Sequence, residues 1–190
     1  SDDGSIVAFG DPSYDNYKGK VSVYKLENEV WSQLGNDIIG EQIQDKIGYK
    51  VTLSSDGLVI AIGARNQYSG GTSSGNISVY EYNGGAWNQR GSDIGDESPN
   101  ELVGSSISLN NDGTILVTGA PVFKGYGGSN YSRGRVKRYE YDGNDWTKIN
   151  EIVGDKNADE CGSSVALNNN GTIMAGGRPG HDNHEKSWTN

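Results

Sequence analysis

The chain has 190 residues, 33% of them hydrophobic and 29 of them glycine, with a formal net charge of −9. An acidic surface (pI ≈ 4.6) repels phosphate, which argues against nucleic acid and anionic membranes as partners. No apolar run approaches the ~20 residues that span a bilayer, and the lone Cys161 excludes an internal disulfide.

The mean hydropathy of −0.68 is low, but the apolar residues are clustered. They form short runs between Gly, Asn, Asp and Ser, the pattern of many short strands joined by tight turns. The first turn is Asp3-Gly4. It recurs at Asp56-Gly57, Asp112-Gly113 and Asn170-Gly171, with glycine spacings of 53, 56 and 58 residues. Six residues after each turn glycine stands another: Gly10, Gly63, Gly119 and Gly177. Tyr24, Tyr80 and Tyr139 keep the same register, as do Trp31, Trp87 and Trp146, and Gly48, Gly104 and Gly162. Five landmarks in register predict a repeated structural unit.

One unit predicts four strands. The first covers 48–53 and ends in the turn 54–57, where Asp-Gly tolerates positive φ at both positions. The second, 58–62, is apolar throughout and is expected to be buried on both faces. A variable Gly/Ser/Asn-rich loop over 65–75 leads to a third strand at 76–82. Asn83-Gly84-Gly85 then turns the chain into a short, polar fourth strand around 87–89, as suits an outer edge.

Four antiparallel strands in ~50 residues is the size of a propeller blade. The expected fold is all-β: a β-propeller-like array of about 3–4 blades, part of a larger propeller. The units are 1–47 (partial), 48–103, 104–161 and 162–190 (partial). A β-sandwich does not account for the strict period. The opening Ser1-Asp2-Asp3-Gly4 predicts a piece of a longer chain or a mature form.

The unit resembles FG-GAP repeats, the blades of the integrin α-subunit propeller. The "FG" position is held by Ile47-Gly48, Val103-Gly104 and Cys161-Gly162. The "GAP" position is Gly119-Ala120-Pro121, echoed in Gly10-Asp11-Pro12, Gly63-Ala64-Arg65 and Gly177-Arg178-Pro179. The signature W-x-Q-x-G-x-D-I, at 31–38 and 87–94, is similar to that of surface and secreted repeat proteins of marine bacteria and algae. The FG-GAP resemblance implies Ca²⁺ in a D-x-D-x-D-G loop. The matching positions here are Thr52, Ser54 and Asp56, then Ser108, Asn110 and Asp112, then Ala166, Asn168 and Asn170. Ca²⁺ takes 6–8 oxygen ligands, largely carboxylate. These sets are incomplete, so plain hairpins and no cofactor are expected.

Other features each carry two readings. His181, Asp182 and His184 offer a divalent-metal set, or an exposed loop matching Tyr14 and Tyr17 in the first unit. Cys161 occupies the slot of Ile47 and Val103 and reads as a small apolar residue. The periodic Trp and Tyr residues read as packing between neighbouring blades, with a sugar platform as the alternative. Tyr14, Tyr17, Tyr68, Tyr126 and Tyr131 lie in the variable loops beside Gly and Ser, a composition suited to recognition. The acidic stretches 41–45, 93–101 and 155–160 read as a solvated face, and no carboxylate pair stands out for glycoside hydrolysis. Asn76, Asn130 and Asn170 are sequons open to glycosylation in a secreted protein.

The expected function is therefore a non-catalytic extracellular or cell-surface module for adhesion, protein or glycan binding, or surface architecture. Its partners would be other chains, the rest of its own longer chain, or glycans. The alternatives are a subunit of an extracellular filament or coat, and a propeller-type glycan hydrolase.

Overall fold

A computed structural model describes residues 1–64, 68–69, 72–73, 75–95, 101–122, 132–156 and 158–180, with only the backbone at 68–69 and 72–73. The first sheet runs β1 (Ile6–Asp11), β2 (Lys20–Glu27), β3 (Val30–Gln33), with β4 (Ile38–Ile39) also on β2. A four-residue turn of helix, α1 (Tyr14–Tyr17), joins β1 to β2. The second sheet is built from β5 (Ile47–Leu53), β6 (Val59–Ala64), β9 (Asn76–Asn83) and β10 (Ala86–Gln89), with β11 (Ile94–Gly95) on β9. Between β6 and β9 the loop carries the small pair β7 (Tyr68–Ser69) and β8 (Thr72–Ser73). The third sheet is β12 (Ser106–Leu109), β13 (Ile115–Ala120), β14 (Arg135–Tyr141) and β15 (Trp146–Val153). β16 (Val165–Leu167) and β17 (Met174–Gly176) pair in a fourth. All strand pairings within these sheets are antiparallel, as the repeat predicts. The chain is a β-propeller-like array of four-stranded blades, and among the described residues its sheets do not close into a ring.

The core lies between blades. Ile6, Val21, Val23 and Ile38 of the first blade pack with Ile60 and Ile62 of the second. Ile77, Val79 and Ile94 of the second meet Ile107, Leu109 and Leu116 of the third. Val117, Val136 and Cys161 form a third cluster, so Cys161 is a buried apolar side chain. β6 is buried along its whole length, as its unbroken apolar run requires.

The four turns are built alike. The carboxylate or amide oxygen of Asp3, Asp56, Asp112 and Asn170 accepts the backbone N–H two residues on, at 2.9, 2.9, 3.0 and 3.2 Å. Only the glycines, Gly4, Gly57, Gly113 and Gly171, take positive φ. The expectation of positive φ at both turn residues is thus corrected: the Asp contributes its side chain to an Asx turn. Successive turns are also tied together. The N–H groups of Asp2, Ser55 and Asn111 donate to the carbonyls of Ser55, Asn111 and Asn169, each at 2.9 Å.

The sequence signature has equally local causes. Gln33 Nε2 and Ser22 Oγ donate to Asp37 Oδ1 at 2.7 and 2.6 Å, and Gln89 Nε2 and Ser78 Oγ donate to Asp93 Oδ1, both at 2.7 Å. The Gln-x-Gly-x-Asp element therefore clamps the fourth strand to the third. These hydrogen bonds, with Ser22 foremost and the Lys20 ammonium contributing, hold the Asp37 carboxyl below its usual range. Each Trp reaches backwards: Trp87 Nε1 donates to Leu34 O of the first blade, and Trp146 Nε1 to Arg90 O of the second, both at 2.8 Å. The reading of Trp87 and Trp146 as packing between blades holds.

Candidate functional site

Two features stand out once the blade-building residues are accounted for. The first is α1. Asp15, Asn16 and Tyr17 take φ of 44°, 56° and 65°, three consecutive left-handed residues without a glycine. Such a turn costs roughly 1–2 kcal/mol per residue. It is held by Gly19 N donating to Tyr14 O (3.1 Å) and by the Lys18–Asp15 ion pair (3.0 Å). Lys46 N, on the approach to the second blade, donates to Tyr17 O at 2.8 Å. The turn displays Tyr14 and Tyr17, 39% and 49% exposed, with the Lys20 and Lys46 ammonium groups 4.7 and 5.4 Å from their ring centres.

The second feature is a set of buried acids that sequence reasoning placed on a solvated face. Asp45, Glu101 and Asp159 each stand two residues before the first-strand slot held by Ile47, Val103 or Cys161. They are only 2%, 3% and 1% exposed, which corrects that expectation. The equal spacing was legible in the sequence, but nothing in it showed that the loop folds under the next blade.

The three acids have different surroundings. Glu101 forms an ion pair with Arg135, which extends at 3.4 Å to Glu151. Asp159 Oδ2 accepts the Lys156 N–H at 3.0 Å and lies 3.8 Å from Arg178 Nη1. Asp45 Oδ2 accepts the Gln42 N–H at 2.8 Å, while its Oδ1 is buried with no hydrogen-bond partner among the described residues. Burial, with the negative charges of Glu41 and Asp93 adding to it, pushes the Asp45 carboxyl above its usual range. The same burial and charges raise the Tyr80 hydroxyl.

Asp45 lines a cavity of ≈ 90 Å³ at the joint of the first two blades, together with Glu41, Asn76, Ser78, Tyr80 and Asp93. Asn76 Nδ2 donates to Asp93 Oδ2 at 2.9 Å, and its Oδ1 is buried without a partner among the described residues. Asn76 is 5% exposed, so its amide nitrogen is buried and engaged; it is not placed to carry a glycan in the folded chain. Asn170 is exposed at the tip of the fourth turn.

Tyr126, Tyr131, Asn130, His181, Asp182 and His184 lie outside the described residues, as does the side chain of Tyr68. Among the described residues no three His, Cys, Asp or Glu side chains come together as a metal centre. No described helix is long and apolar enough to cross a membrane.

The propeller-like class is matched among solved structures. A putative 6-phosphogluconolactonase from Bacteroides uniformis aligns over 92% of this chain with a TM-score of 0.58 and 13% identity. A putative TolB from Agrobacterium tumefaciens aligns over 93% (TM-score 0.48, 12% identity). A hypothetical selenium-binding protein from Sulfolobus tokodaii aligns over 72% (TM-score 0.47, 9% identity). The chain spans 44%, 56% and 35% of these proteins' lengths. At 13% identity the likeness to the first of these shows the fold alone. No protein-family model matches the chain, and no curated protein matches it.

Proposed function

We propose that the chain is a non-catalytic repeat module of an extracellular or cell-surface protein, akin to FG-GAP repeat proteins, that binds protein or glycan through the loop bearing Tyr14 and Tyr17. The observation that carries this reading is the left-handed turn 15–17. A strained turn braced against the neighbouring blade, with two exposed tyrosines on it, is a preorganised contact surface. The test is binding to a glycan array and adhesion to protein-coated surfaces, with Tyr14→Ser and Tyr17→Ser compared with wild type. Binding at least tenfold weaker in the variants supports the reading. Unchanged binding, or turnover of a glycan substrate, overturns it.

An assembly reading is favoured by a separate observation. Val7, Phe9, Tyr24 and Trp31 surround an apolar cavity of ≈ 350 Å³ on the outward face of the first blade. Ile60 and Ile62, which match Val7 and Phe9 in the repeat, are buried by a neighbouring blade, whereas Phe9 and Trp31 are 61% and 45% exposed. The occupant that continues this interface is a further blade of the same type, whether from the same polypeptide or a second copy. Light scattering that shows self-association of wild type but not of Trp31→Ser assigns the face to a second copy. A monomer with Trp31 still solvent-accessible sinks this reading.

A further inference from the structure

The joints between blades carry the same buried acid but not the same cation. At the joint of the second and third blades, Arg135 on β14 reaches Glu101 and Glu151. Its counterpart in the repeat, at the same distance before the landmark tyrosine, is Asn76 on β9. Glu101 corresponds to Asp45, and Glu151 to Asp93. The first joint therefore keeps both acids and replaces the guanidinium between them with a short amide.

That replacement leaves two buried oxygens, Asp45 Oδ1 and Asn76 Oδ1, lining one cavity without hydrogen-bond donors among the described residues. The Asn76 orientation is fixed because its Nδ2 is committed to Asp93. An unpaired buried acceptor destabilises the fold, and a charged one more so. The volume of ≈ 90 Å³ is several times the ~10–15 Å³ that one water needs. Its mouth is open, since Ile39, Glu41, Gln89 and Asp93 are exposed.

We propose that this cavity binds a guanidinium group from solution, the group carried by an arginine side chain. Asp45 Oδ1 and Asn76 Oδ1 accept its N–H groups, and Asp93 and Glu41 add negative charge at the mouth. A planar guanidinium supplies donors in a fixed fork and retains its charge at any physiological pH. A metal ion suits the site poorly. Ca²⁺ wants 6–8 oxygens, and no three carboxylates converge among the described residues. Water satisfies acceptors but brings no charge to offset a carboxylate with Glu41 and Asp93 beside it.

The test is titration of the protein with methylguanidinium chloride, followed by NMR and thermal melting against matched NaCl, with the peptide Gly-Arg-Gly in parallel. Saturable binding is expected, at least tenfold weaker in Asp45→Asn and lost in Asn76→Arg, whose own side chain takes the position that Arg135 takes next door. Asn76→Arg is also expected to melt at a higher temperature than wild type. Should that variant fail to fold, Asp93→Asn at the exposed mouth serves instead, with binding several-fold weaker. Tighter binding of the peptide than of methylguanidinium points to a protein partner's arginine as the source; equal binding points to a free guanidino compound. A wild-type response no greater than to NaCl overturns the proposal, as does full binding in Asp45→Asn. A carboxyl ¹³C shift showing Asp45 protonated at pH 7 and unmoved by methylguanidinium also overturns it, and so does Ca²⁺ binding in its place.

Discussion

Gly119 and Gly162 lie against each other across the joint between the third and fourth blades: a Cβ added to Gly162 would stand 2.8 Å from Gly119 Cα, and one on Gly119 would overlap the Gly162 carbonyl. Gly10 with Gly48, and Gly63 with Gly104, repeat this contact at 3.0 and 3.2 Å. Two landmarks of the repeat thus have a single cause. The backbone at the end of one second strand touches the backbone at the start of the next first strand, and a side chain has no room there.

The contact predicts a specific penalty. Gly119 has ordinary φ, so Gly119→Ala tests crowding without backbone strain. Overpacking of this kind costs about 1–3 kcal/mol. Gly95 has open space and ordinary φ, and Gly95→Ala is expected to stay within about 0.5 kcal/mol of wild type. Urea unfolding midpoints compare them. Equal midpoints would rule out the close-packed joint.

The tryptophans predict an asymmetry within one landmark. Trp87 is half-buried and donates to Leu34 O, whereas Trp31 is 45% exposed. Trp87→Ala is expected to cost about 2–4 kcal/mol, and Trp31→Ala less than about 1 kcal/mol. Calorimetric melting of the two variants measures this. Comparable losses would mean that Trp31 packs as Trp87 does.

Strand order, turn positions and blade size were legible because the period was strict and every turn kept its glycine. The partners of the landmarks were not. That Gly119 needs Gly162, or Trp87 needs the carbonyl of Leu34, depends on the angle between blades, which no single unit encodes. Glu41, Asp93, Asp155 and Glu160 are exposed as read, but one acid in each loop is not, for the same reason. A carboxylate in a polar loop looks solvated until the next blade covers it, as happens to Asp45, Glu101 and Asp159. Composition put Tyr14 and Tyr17 in a variable loop but did not show the left-handed turn that carries them: Asp and Asn adopt positive φ singly, and nothing in Asp-Asn-Tyr marks three such residues in a row.

The turns give a pH dependence. The Thr114 hydroxyl and N–H both donate to Asp112, at 2.5 and 3.0 Å, and lower its carboxyl from the ordinary value, the hydroxyl most. A carboxyl lowered on folding stabilises the protein above its unfolded pKa, about 3.9. That contribution is lost as pH falls through the lower folded value. Asn170 makes the same turn with a neutral amide. Asp112→Asn should therefore match wild type within about 0.5 kcal/mol near neutrality and lose less stability between pH 4 and 2. Melting curves across that range check the difference, and parallel acid profiles would show that the turn carboxylate is not coupled to folding.

Asp45 has the opposite sign. Its carboxyl is raised by burial, with Glu41 and Asp93 beside it. A group whose pKa rises on folding favours the native state while both states are protonated, below about 3.9. That contribution is lost as pH rises through the folded value, when the buried group must ionise. Asp45→Asn removes the cost. The new amide still offers an oxygen to the Gln42 N–H, which Asp45 Oδ2 accepts at 2.8 Å. Its nitrogen stands in the cavity that the buried Asn76 Oδ1 also lines, an oxygen with no donor among the described residues. In buffer free of guanidinium compounds, the variant is expected to melt about 2–4 °C above wild type at pH 7, equivalent to ~1 kcal/mol for a chain of this size. The gap should narrow steadily as pH is lowered toward 4. A variant that melts lower than wild type at pH 7 would mean that the ionised carboxylate stabilises the joint, and that Asp45 holds the two blades together through its charge.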